Sequence, residues 1–138
     1  YWGKHEIWTR GELNFGHGHY LGPTGPARHL LDYCFNFVYG HDHSVNMSPL
    51  KTYGKPTRMA ITIGCLEEIN PNWLKGKPNK WQHAFSVAYV RKEDGRFNLY
   101  TPMIFDGQFM GPDGKAYDGR ATHLDTKRTS PLPRLLPK

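Results

Sequence analysis

The sequence predicts an α/β chain, a βαβ unit followed by mainly antiparallel strands. Two short strand-like runs, ELNFGH at 12–17 and FNFVYG at 35–40, are separated by a Gly/Pro loop and a stretch with helical apolar spacing. From residue 59 onward, β-branched and aromatic runs are punctuated by Asp-Gly pairs, the usual mark of hairpin turns. No apolar run reaches the roughly 20 residues needed to span a bilayer, so no membrane partner is expected.

The first strand alternates, with Leu13, Phe15 and His17 on one face and the histidine at the strand mouth. The loop GHYLGPTGP leads into ARHLLDYC, where Ala27, Leu30, Leu31 and Cys34 follow i, i+3, i+4, i+7, the apolar stripe of a short helix. Thr24 or Gly25 can cap this helix, and Pro26 fits its first turn. FNFVYG is the returning strand, expected parallel to the first with a right-handed crossover. MAITIGCL (59–66) is a further strand, and Ile69–Lys80 reads as a loop with Trp73 as its aromatic anchor. HAFSVAYVRK and RFNLYTPMIF flank Glu93-Asp94-Gly95 as a hairpin. Asp106-Gly107 and Pro112-Asp113-Gly114 predict two more tight turns. One domain over 1–119 is expected, with 120–138 a polar, proline-rich tail, extended, disordered or laid on a partner.

The 138 residues suffice for one modest core, and the aromatic fraction of 14% helps fill it. The formal charge of +6 favours anionic partners such as phosphate esters or nucleic acid. Cys34 and Cys65 each lie in an apolar run and are expected as two buried thiols, which suits a reducing, cytoplasmic compartment. The chain opens on Tyr1 without a visible secretory leader and is expected to be a processed or trimmed piece of something longer.

Five of the eight histidines fall between His17 and His43. The βαβ unit would set His17, His41 and His43 side by side beyond the carboxyl ends of parallel strands, where α/β folds place their ligands. Gly16, Gly18 and Gly40 strip bulk from beside these imidazoles and let the backbone turn sharply. Neutral imidazole is a favoured ligand for divalent zinc, manganese, iron or nickel, so these three are the candidate metal ligands. Three imidazoles do not close a site, and carboxylates would have to supply the rest. His19 and Gly40 are candidates for the surrounding shell. Lys75 and Lys77, in the loop KGKPNKW, are candidates for contact with a phosphate, beside a tryptophan suited to stacking. His29, His83 and His123 read as structural.

FNFVYGHDHS resembles the Gly-His-x-His block of calcineurin-like metallophosphoesterases, and FGHGHYLG resembles the His-Gly block that precedes it there, with a helix between them. GCLEEINPNW and KGKPNKWQHAFSVAYV are similar to the later part of phage-type members, which would place such a chain in a host cytoplasm. The resemblance implies a sandwich of mixed sheets and a site with two divalent metal ions (manganese, iron, zinc or nickel) bridged by an aspartate and a hydroxide. It implies His17 and His41 on one ion and His43 on the other, with Asp42 not a ligand. The family's Asp-x-His and Gly-Asp-x-x-Asp blocks are not in the chain. Gly3-Lys4-His5-Glu6 has lysine where the Gly-Asn-His-Asp/Glu block carries its asparagine ligand. The resemblance therefore implies the C-terminal half of a phosphoester hydrolase, completed by an N-terminal half or partner chain, acting on a phosphomonoester, nucleotide or nucleic acid, and inactive alone. The alternative is a non-enzymatic basic module that docks on an assembly and holds at most one structural metal.

Overall fold

The computed structural model describes residues 6–120. The expected tail beyond its first residue, Arg120, together with His123 and most of the Gly3–Glu6 block, lies outside the described residues. The fold is mixed α/β, mostly strands with one α-helix among the described residues. β1 (Ile7–Arg10) and β2 (Leu13–Gly16) form an antiparallel hairpin; α1 (Gly25–Tyr33) crosses to β3 (Asn36–Tyr39). β4 (Asn46–Leu50) and β5 (Arg58–Thr62) complete a five-stranded sheet of order β1-β2-β3-β5-β4. β2, β3 and β5 are parallel neighbours, with Gly16 opposite Tyr39 and Tyr39 opposite Thr62, so all three strands end at the same edge. The βαβ unit is thus present as expected.

Strand alternation assigns the two faces of this sheet. Phe37, Tyr39 and Ala60 point to one side and pack with Leu30 of α1, joined by Tyr33, Phe35 and Leu50. Leu13, Val38 and Ile61 point to the other side, against Ala88, Phe97 and Leu99. These last three come from the hairpin of β6 (Val87–Val90) and β7 (Phe97–Tyr100), which turns at Glu93-Asp94-Gly95. The result is three layers, helix, sheet and ribbon. Burying a side chain such as Leu30 or Leu13 contributes about 1.5–3 kcal/mol. β8 (Gln108–Met110) and β9 (Ala116–Asp118) make a last antiparallel pair. Asp106 and Gly107 turn the chain into β8 with φ of 49° and 76°, closed by reciprocal Phe105–Gln108 backbone bonds of 2.9 Å.

Several expectations need correction. The buried face of α1 is Pro26, His29 and Leu30, whereas Leu31 is 68% exposed. The stripe is rotated by one residue because a hydrogen-bonded histidine, not an aliphatic, fills the core position. Cys34 is exposed at the left-handed C-cap of α1, and Cys65 is half-buried; both are free. Trp73, expected as an anchor, is 63% exposed. Two strands had no signal in hydrophobic alternation. β1 is exposed along its length, and β4 carries Pro49, which an edge strand tolerates because one side needs no donor. Among the described residues no helix is long and apolar enough to cross a membrane.

Candidate metal centre

The site is an open rim at the carboxyl ends of β2, β3 and β5. His17 follows Gly16, the last residue of β2, and Gly40-His41-Asp42-His43 follows Tyr39, the last of β3. Because the two strands are parallel and in register, the chain leaves them side by side. The His17 and His41 rings lie 4.6 Å apart between centroids, tilted by 55°.

The turn after β3 is held from several directions. The Gly40 carbonyl accepts from Thr62 Oγ1 at 2.9 Å and from the Asp42 backbone N–H at 2.5 Å. Asp42 accepts from the Gly22 backbone N–H at 3.1 Å and from Ser44 Oγ at 2.6 Å. Its carboxylate fastens the turn. The His43 carbonyl accepts from the Gln82 backbone N–H at 2.8 Å, and Gln82 Oε1 accepts from the Val45 N–H at 2.6 Å. The expected role of Gly40 in the sharp turn is not what the backbone uses. The left-handed conformations fall on His41 (φ 41°) and His43 (φ 53°), while a Cβ on Gly40 would meet open space. Side chains in that region cost about 1–3 kcal/mol each and concentrate at functional sites.

His43 points differently from the other two. Its ring stands edge-on to Trp81 at 4.4 Å, and its Nδ1 is buried without a hydrogen-bond partner among the described residues. A buried polar atom left unpaired costs free energy and is a mark of a missing ligand or a catalytic role. The donor set therefore fits a divalent metal in part: two adjacent imidazoles at the rim and one orphaned imidazole nitrogen. Among the described residues no three His, Cys, Asp or Glu side chains gather closely enough to hold a metal ion by themselves.

Further candidates sort by position. His19 is exposed and lies over Tyr20 at 4.0 Å and His29 at 4.8 Å, with Tyr33 Oη 3.2 Å from its Nδ1. It belongs to the aromatic cluster on α1. Lys75 and Lys77 are exposed in the loop after the 3₁₀ turn Asn72–Leu74. Their neighbour Trp73 packs on Trp81 at 5.6 Å, which links this loop to His43.

His29, expected to be structural, and Gly18, expected to let the backbone turn, both fasten the rim. His29 is fully buried; its Nδ1 donates to the Gly25 carbonyl at 3.0 Å, and its Nε2 accepts from the His19 and Tyr20 backbone N–H groups at 3.1 and 3.4 Å. It locks the loop that runs from His17 to α1. Burial pushes its imidazole below the ordinary value, and the charges of His19 and His41 act the same way, against the Gly25 bond and Asp32. Gly18 (φ 82°) lies against Tyr39, whose Cδ2 would be 2.3 Å from an added Cβ. The Tyr39 hydroxyl is buried and has no hydrogen-bond partner among the described residues, and burial together with the charge of Asp42 raises its ionisation well above the ordinary phenol range.

Two surface hollows lie away from the rim. One of about 550 Å³ is lined by Tyr89, Arg91, Arg96 and Asn98, and one of about 280 Å³ by Glu12, Asn36, Arg58 and Arg96. The smaller sits where β2, β3 and β5 begin, and both involve the ribbon tip, so neither borders the histidines. Comparisons of this chain with protein-family models, with curated proteins and with solved structures found no match.

Proposed function

We propose that the rim is one part of a metal-dependent phosphoester hydrolysis site, in the manner of the C-terminal half of a calcineurin-like metallophosphoesterase. The observation that carries this reading is the pairing of His17 and His41 at 4.6 Å beyond two parallel strands, where an imidazole pair can share one ion. His43, with its unpaired Nδ1, would serve a second ion. When bound, divalent metals supply Lewis acidity and charge neutralisation at a phosphoryl group. This chain's own residues hold and orient. The Asp42 and Thr62 hydrogen bonds fix the turn, and His29 fixes the loop after His17. The remaining ligands, carboxylates above all, come from an N-terminal half or a partner chain. The substrate is a phosphoester, and the formal charge of +6 suits an anionic one.

The test is a calorimetric titration of the 138-residue chain with manganese and zinc, beside an assay on an aryl phosphodiester. Weak metal uptake, lost in His41→Ala and His17→Ala, and no turnover by the chain alone are expected. Robust turnover by the chain alone, or uptake indifferent to both substitutions, would overturn the assignment. Tight uptake accompanied by unfolding on chelation would instead point to a self-contained structural metal site.

A further inference from the structure

The segment from Ile69 to Trp81 presents an indole to solvent on a fixed scaffold. Trp73 is 63% exposed, one of several large apolar side chains open to solvent among the described residues. It is not on a loose loop. The Leu74, Lys75 and Lys77 backbone N–H groups donate to the Pro71, Asn72 and Leu74 carbonyls at 2.9, 3.1 and 3.0 Å. Asn79 ties the far side, its amide donating to the Ile69 carbonyl at 2.7 Å and its Oδ1 accepting from the Trp81 N–H at 2.9 Å. Trp81 backs Trp73 at 5.6 Å and touches the His43 ring at 4.4 Å on its other side. Between Ile69 and Trp81 there is no acidic residue, while Lys75, Lys77 and Lys80 are all exposed.

A flat exposed ring beside several cations matches an unstacked base on an anionic backbone. A duplex hides its base faces, and a lone nucleotide does not call for three cations spread along a loop. We propose that Trp73, backed by Trp81, is a stacking platform for one base of a single-stranded nucleic acid whose phosphates pair with Lys75, Lys77 and Lys80. This assigns a substrate class to the rim and rests on the reading of that rim as a phosphoester site. Stacking on the indole would deliver the adjoining backbone toward His43.

The experiment reads tryptophan fluorescence of the full chain in EDTA, so that metal plays no part. A short oligothymidylate is expected to quench it, with affinity falling steeply as salt rises. Trp73→Ala should bind about tenfold or more weakly, and Trp73→Phe should recover part of the loss. Joint replacement of the three lysines by glutamine should flatten the salt dependence. Equal quenching by thymidine monophosphate or by a duplex would overturn the proposal, as would oligonucleotide affinity unchanged in Trp73→Ala. Because no metal is present, failure here leaves the metal titration to judge the rim, and loss of metal uptake leaves this result standing.

Discussion

At the scale of single residues, His29 shows how a polar side chain can behave as core. Its two ring nitrogens meet three backbone groups, so burial leaves none of them unsatisfied. His29→Leu, close in size, would orphan those groups and should cost roughly 2–4 kcal/mol, read as a shift in urea midpoint. The same burial makes stability depend on pH. A histidine whose folded-state value is depressed is neutral in the fold, while the unfolded chain binds a proton at about 6.5. Stability is therefore complete above that value and declines as pH falls from it through the depressed folded value. The groups that face this ring are His19, His41 and Asp32, and the two imidazoles reinforce the decline. Urea titrations at pH 7.5 and 5 should show the loss in the native chain and a flatter response in His29→Leu. Sequence alone could not expose this residue, because a histidine at a core position looks the same as one on a surface until its partners are known.

At the scale of elements, the parallel pair β2 and β3 was legible and their exact turns were not. Alternation in ELNFGH and the apolar run FNFVYG, with a helical spacing between, were enough to place His17 and His41 at one edge. Of the three glycines named beside the imidazoles, one did not behave as expected. Gly40 looked indispensable beside His41, yet it takes no left-handed φ and a Cβ there has room. The demanding position is Gly18, with φ 82° against the Tyr39 ring. Gly18→Ala should lower stability by roughly 2–4 kcal/mol, and Gly40→Ala should change it by less than about 0.5 kcal/mol; thermal melts of the two variants check the contrast. A reversed order would mean that the turn is built otherwise. β1 and β4 escaped the sequence for a related reason: edge strands bury little, so neither leaves an apolar signature.

At the scale of the whole molecule, the foot of the sheet is tied to the ribbon. There the β1–β2 turn meets the ribbon tip. The Glu12 N–H donates to the Gly95 carbonyl at 3.0 Å, and an added Cβ on Gly11 would sit 2.5 Å from that oxygen. From Leu13 to Gly16 there are only four residues of strand before His17 begins. β2 is thus a short spar, pinned at its foot by a backbone bond to the ribbon and carrying an imidazole at its head. Gly11→Ala would wedge the foot, at about 1–3 kcal/mol, and should displace the His17 ring and weaken metal uptake from the far pole. Ring proton chemical shifts of His17 beside the titration would register it; unchanged shifts with lowered stability would confine the damage to the tip. In so short a lever, the aim of a ligand is decided where no ligand is.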